Sequence, residues 1–316
     1  MAYTLVATAK NEGPYLLEWV AYHRMIGFDH ILLFQNDSDD GTHEIMRCLD
    51  DLGLAEYRYN RAGPGRHQVK AYKRAARQPC YQASDWVIAL DLDEFLQIHT
   101  GGGHLDDLTA ALPEADEVLL NWRRFGHSGH VTLDEALVSE RFTRSEPDAR
   151  VADHLTPYKA MFRPGLFERL GIHRPPGAKV PGEQIRTLNG SGLPPDRFTR
   201  HRFRATDPGR RALAQVNHYI VRDAASFVLK SHRGSAHQSD RDISRKYWRR
   251  RNFNDDTDTA LAARSSEIRT EMARLDALSG GRLLALRQRA IETHQARFDA
   301  LMDDPGFRDL YAFCTA

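Results

Sequence analysis

DWVIALDLDEF (Asp85–Phe95) is an apolar run that ends abruptly in three carboxylates, Asp91, Asp93 and Glu94. It reads as a buried strand delivering acid to the edge of a sheet. Carboxylates this close repel one another, so holding them together costs stability unless a cation or a proton sits among them. The spacing therefore points to a site for a divalent cation.

The segments before it alternate strand and helix patterns. Tyr3–Ala7 and His30–Phe34 read as buried strands, and between them Pro14 opens a helix running to about Ile26 with Leu16, Val20 and His23 on one face. Thr42 is expected to cap a helix through Leu52, which Gly53 stops before a strand at Glu56–Tyr59. A helix around Val69–Ala76 then leads into Trp86–Leu90. Alternation of this kind predicts an α/β fold with a sheet covered by helices on both faces, binding ligands beyond the carboxyl ends of its strands.

After Pro113 the rhythm loosens. Val118–Trp122, Tyr158–Arg163 and Gln215–Val221 are further strands completing a mixed sheet, joined by segments rich in Gly, Pro, His and Arg. From Thr257 to Leu278 the positions Leu261, Ile268, Met272 and Leu275 keep a helical period. Gly280–Gly281 breaks it, and Leu283, Leu286, Ala290 and Phe298 begin another. This predicts a catalytic domain over 1–235 and a mainly helical extension over 236–316 built on a helical hairpin.

With 316 residues there is ample length for a sizeable core. The 44 basic residues nearly balance 43 acidic ones, which argues against nucleic acid as a partner. Cys48, Cys80 and Cys314 are far apart and odd in number, with no disulfide or CxxC framework, and no run approaches a membrane span. The expectation is a cytoplasmic protein. The basic aromatic run RKYWRRR (Arg245–Arg251) reads either as a solvated helix face with one buried aromatic or as a peripheral contact with the inner face of a membrane.

Three segments should meet at one sheet edge: TAKNEG (Thr8–Gly13), NDSDDGT (Asn36–Thr42) and DLDEF. Each alone has an ordinary explanation, since Asp, Asn and Gly form solvated turns and helix caps. In this order, however, KNEGPYLLEWVAYHRMIGFDHILLFQNDSDDGT followed by DWVIALDLDEFL resembles the nucleotide-sugar-dependent glycosyltransferases of the GT-A fold, of the family 2 and family 92 type. The resemblance is close over roughly the first hundred residues and looser to about Gly234.

The resemblance implies roles residue by residue. Lys10, Asn11 and Glu12 would surround the nucleotide base and ribose, and Asp37 and Asp39 would contact uracil and ribose, while Asp40–Gly41 sets the backbone. Asp91 and Asp93 match the DxD pair. Asp93 is the better ligand for Mn²⁺ or Mg²⁺, and Asp91 suits the ribose or a water on the metal; Glu94 would stand behind them. His218 and His232 are the later histidines that could reach metal or diphosphate, with Lys230 and Arg233 beside the diphosphate oxygens.

An inverting transfer needs a base near the acceptor hydroxyl. Asp153, His173, Glu183 and Asp196 are available, and the lean is to Glu183 or Asp153. NWRRFGHSGH, with Trp122, Phe125, His127 and Ser128, looks like an acceptor-side loop. The implied reaction moves a sugar from a nucleotide donor, with UDP-sugar favoured, to a hydroxyl of a glycan or lipid-linked acceptor, with bacterial surface polysaccharide synthesis as the setting. A non-catalytic nucleotide-sugar-binding scaffold and, less well matched, a DxD phosphohydrolase are the alternatives; in the latter the motif would sit on the first strand and not be followed by Glu94–Phe95.

Overall fold

The computed structural model describes residues 1–61, 67–147, 156–194, 204–205, 211–234 and 244–316. Its strands are β1 (Tyr3–Ala9), β2 (His30–Gln35), β3 (Glu56–Tyr59), β4 (Trp86–Ala89), β5 (Glu94–Ile98), β6 (Glu117–Arg124), β7 (Arg144–Ser145), β8 (Thr156–Phe162), β9 (Thr187–Asn189), β10 (Arg204–Ala205), β11 (Ala214–His218) and β12 (Asp256–Thr257). The helices are α1 (Gly13–Met25), α2 (Thr42–Asp51), α3 (His67–Ala75), α4 (Pro79–Ala83), α5 (Leu105–Ala111), α6 (Val138–Arg141), α7 (Ala224–Arg233), α8 (Arg245–Arg251), α9 (Ser265–Leu278), α10 (Arg282–Leu301) and α11 (Pro305–Thr315).

The main sheet runs β3-β2-β1-β4-β8-β6-β11-β5. Its first four strands are parallel, with Val6 opposite Leu32 on one side and Ala89 on the other. Beyond β4 it turns mixed: β8 is antiparallel to β4 and β6, β11 is parallel to β6, and β5 is antiparallel to β11. This parallel half continued by a mixed half is the GT-A arrangement that the resemblance implied. It brings the carboxyl ends of β1, β2, β4, β6 and β11 to one edge.

Two apolar layers sandwich the sheet. One joins Leu5, Ile31, Leu33 and Ile88 to Trp19 and Val20 of α1 and to Ile268, Leu275, Leu286 and Ala290 of the C-terminal helices; the other joins Val6, Leu32 and Phe34 to Ala71 and Tyr72 of α3. Because its residues from Gly13 to His23 are all buried, α1 is covered on every side, as a helix apolar all round requires. The predicted hairpin forms from α9 and α10 around Gly280–Gly281, and α11 adds a third helix. The hairpin helices share the main core with α1, whereas α11 packs with α7 and α8 in a smaller cluster. Helices α1 and α10 approach so closely that a Cβ on Gly13 would lie 2.6 Å from that of Ala290.

Two local expectations change. Thr42 does not cap α2: Gly41, at φ 92°, occupies the cap position, and the Asp40 carboxylate accepts the Thr42 N–H at 3.0 Å instead. The C-terminal helix starts at Ser265, not Thr257, because Asp256–Thr257 pairs with β7 first. In α8, Trp248 is buried against Phe227 at 4.9 Å between ring centres, while Arg245 and Arg249 lie over Phe313. That is the helix-face arrangement with one buried aromatic. Among the described residues no helix is long and apolar enough to cross a membrane.

Candidate functional site

Strand β4 exits into Leu90–Asp93, and β5 leaves at once with Glu94, so the three acids are fixed from both sides. Strand register brings the first predicted histidine to them, because Glu94 pairs with His218 and the Tyr219 N–H donates to the Asp93 carbonyl at 2.8 Å. His218 Nε2 lies 3.6 Å from Asp93 Oδ1. Burial lowers the affinity of this ring for a proton, against the pull of Asp93.

The cations that the acidic run demands come from the chain itself. Lys159 of β8, with a side chain 1 % exposed, lies 3.1 Å from Asp91 and 3.0 Å from Glu94. Lys230 of α7 donates to Asp93 at 3.0 Å and to the Ile220 carbonyl at 2.7 Å. The lysines divide the acids between them. Asp93 is held well below the usual carboxylate range: burial opposes ionisation, but Lys230 and His218 outweigh it. Burial pushes the Glu94 carboxyl the other way, up to about 8, with Lys159 pulling down and Asp91 and Asp93 pushing up. The Lys159 charge is thus committed mainly to Asp91. Gln68 donates to the other Asp91 oxygen at 2.6 Å, and Glu94 accepts the Asp91 N–H at 2.9 Å.

Next to Lys230 opens a cavity of about 480 Å³. Its walls include the predicted Lys10, Asn11, Glu12, Asp37, Asp39, Lys230, His232 and Arg233, joined by Tyr15, Arg222 and, from α10, His294 and Arg297. The loops after β1 and β2 are laced together here. Asn11, at φ 55°, donates its N–H to Ser38 Oγ and accepts the Asp39 N–H on its side-chain oxygen at 3.0 Å. Glu12 does not stand open to a base: it pairs with Arg222 at 2.8 Å and Arg233 at 2.9 Å, and those guanidiniums hold its carboxyl below the ordinary value against burial. Arg222 also lies 3.5 Å from the Tyr15 ring centre and donates to the Leu92 carbonyl, linking this cavity to the DxD loop.

Asp37, at φ 47°, accepts the Tyr59 hydroxyl, and Asp39 pairs with Arg297 at 2.9 Å. Asp40 is buried and fixes the backbone, as expected. One oxygen accepts from Thr42, and the other from Gly13 N–H at 3.0 Å and His294 Nε2 at 2.7 Å. This cavity is therefore finished by the C-terminal helices.

On the other side of the acids, the Trp122 ring centre lies 4.2 Å from His218 and 5.4 Å from His173. His173 bonds the Tyr158 carbonyl at 2.9 Å, and burial with nearby Lys159 lowers it to about 4. Of the acceptor-side segment, Trp122 faces this way. Phe125 packs on Tyr219, His127 hydrogen-bonds Asn252, and the Ser128 N–H bonds Asn254.

The remaining site expectations separate. His232 packs edge-on against Phe307, 5.5 Å between ring centres, on the cavity side. Asp153 and Asp196 lie outside the described residues. Glu183 stands in a short turn (Gly182–Gln184) ahead of β9, whose Thr187 pairs with Glu117 at the start of β6. Lys159, Gln68, Arg222, His294 and Arg297 were not anticipated. Only Lys159 left a signal, a lysine inside the otherwise apolar TPYKAMF.

The chain matches the model of glycosyltransferase family 92 over residues 9–189. A family 92 protein of Oryza sativa subsp. japonica is 27% identical over 137 residues, covering 42% of this chain and 23% of its own length. One of Ricinus communis is 30% identical over 95 residues, covering 29% and 16%. The matches span less than a quarter of the length of either relative. Among solved structures, S. aureus TarS 1-349 aligns over 96% of this chain and 92% of its own, at 13% identity and a TM-score of 0.40. Glucosyl-3-phosphoglycerate synthase from Mycobacterium tuberculosis, solved with Mn²⁺, UDP and glucosyl-3-phosphoglycerate, aligns over 52% and 58%, at 15% identity and a TM-score of 0.32.

Proposed function

The chain belongs to glycosyltransferase family 92, and from that premise we propose that it transfers a sugar, with inversion, from a nucleoside-diphosphate donor to a hydroxyl of a glycan or lipid-linked acceptor. UDP-sugars are the favoured donors. The observation that carries this is the cavity beside Lys230, whose walls gather Lys10, Arg222, Lys230, Arg233 and Arg297 against Glu12, Asp37 and Asp39. Five basic side chains facing three carboxylates suit a diphosphate, and the volume is in the range of small-ligand sites.

The base and ribose would lie against the Asn11–Asp39 loops and the diphosphate against Lys230, within reach of Asp93. Asp93 and His218 fit a divalent ion: one oxygen and one imidazole nitrogen 3.6 Å apart are donors for Mn²⁺ or Mg²⁺, with nitrogen favouring Mn²⁺. Bound there, such an ion supplies Lewis-acid neutralisation of the departing diphosphate. Lys230, now on Asp93, would turn to the phosphate oxygens. Asp91, held by Lys159 and Gln68, serves as a fixed acceptor for the ribose or sugar. On the Trp122 side, His173 is the base in this account, neutral at ordinary pH and oriented by Tyr158.

A thermal-shift screen of nucleotide sugars with and without Mn²⁺ tests the reading. A UDP-sugar should raise Tm, more with Mn²⁺, and less in Asp93→Ala. Shifts indifferent to donor, metal and Asp93 would sink it.

A further inference from the structure

A second cluster lies at the far edge of the sheet. His30 opens β2, Glu56 opens β3, and Cys80 is the second residue of α4, which leads into β4. One ligand atom from each, a nitrogen, an oxygen and a sulfur, falls within 4.8 Å of the other two. These strands are parallel, and Glu56 pairs with Leu32, two residues on from His30. The cluster therefore sits at their amino ends, whereas the nucleotide cavity lies beyond their carboxyl ends.

We infer that His30, Glu56 and Cys80 form a metal site for Zn²⁺, separate from the proposed catalytic one. The donor set decides the class of ion: thiolate and imidazole select a softer transition metal, and not the Mg²⁺ that an all-oxygen site would take. Tetrahedral zinc with ordinary bond lengths sets its ligands roughly 3.3–3.6 Å apart. Closing from 4.8 Å or less needs about 1 Å of side-chain movement, within reach of rotation at Glu56 and His30. Arg58 donates to Glu56 Oε2 at 2.8 Å, which orients the carboxylate and offers its other oxygen to the ion. Water would take the fourth position.

The same three residue types could also suggest a thiol hydrolase, but the geometry opposes it. Burial and the hydrogen bond to Glu56 push the Cys80 thiol up to about 12, the reverse of an activated nucleophile. The ion replaces that thiol proton. Its effect would be to tie α4 to the amino ends of β2 and β3, which the sheet already pairs with each other.

The test uses the full chain stripped of metal. Zn²⁺ should bind at one equivalent and raise Tm by roughly 3–5 °C at concentrations well above its Kd. Co²⁺ in its place should give a thiolate-to-metal charge-transfer band. Both signals should persist in Asp93→Ala and vanish in Cys80→Ser. Absence of the cobalt band from the wild-type chain overturns the inference without any variant; so does a band or shift that survives Cys80→Ser, or one lost in Asp93→Ala while the fold is retained.

Discussion

Replacing Asp40 should weaken the whole molecule, because its buried carboxylate joins the starts of α1 and α2 to α10. Four donors converge on it: Gly13 N–H, Thr42 N–H, the Thr42 hydroxyl and His294 Nε2, at 3.0, 3.0, 2.5 and 2.7 Å. Those bonds outweigh burial and depress its pKa from 3.8 to about 2. A folded value below the unfolded one gives stability that is complete above about pH 4 and lost as pH falls through about 2. The shift corresponds to about 2 kcal/mol at neutral pH and about half of that at pH 3. Asp40→Asn, which keeps the shape and loses the charge, should therefore cost about 2 kcal/mol at pH 7. Asp40→Ala strands several buried donors and should cost about 3–5 kcal/mol. Urea denaturation of the three proteins at pH 7 and pH 3 measures both. A gap between wild type and Asp40→Asn below about 0.5 kcal/mol at pH 7, or one that does not narrow at pH 3, would refute the reasoning.

Glu94 should behave oppositely, since its folded pKa of about 8 lies above the unfolded value. Its contribution is present below about pH 4.5 and is lost as pH rises through about 8, so Glu94→Gln should flatten the alkaline fall of a stability-versus-pH curve; an unchanged curve would contradict this. Removing the proposed base by His173→Gln should lower kcat by about 10²–10⁴-fold while leaving UDP affinity within a factor of two by calorimetry, and retained kcat would exclude His173. Arg297→Ala breaks an exposed pair worth under about 1 kcal/mol, so Tm should scarcely move. Its loss from the cavity wall should still weaken UDP binding, by about 5–10-fold on the scale of one charge-assisted bond, and unchanged affinity would remove α10 from the donor site.

Local patterning made the parallel half readable. In β1–β4 and α1–α3 apolar runs bounded by turn residues mark each element, so local pattern locates them to within two residues. β5 escaped because its charged first residue, Glu94, follows β4 after only four residues and reads as loop; β7 and β12, two residues each, have no period to detect. Convergence of KNE, NDSDDGT and DLDEF could be read because parallel strands carry their exits to a common edge. Lys159 and His294 could not be assigned from pattern. They meet Asp91 and Asp40 across 68 and 254 residues of sequence, and only the closed fold creates those pairs.

The central claim is that the cavity walled by the Lys10–Glu12 loop, α7 and α10 holds the donor's diphosphate beside Asp93 and His218. A crystal structure of the chain grown with UDP and Mn²⁺ tests it most directly. The account predicts the diphosphate beside Lys230 and Arg222, with anomalous manganese density on Asp93 and His218. Nucleotide density elsewhere on the molecule, or manganese bound without either residue, would contradict it.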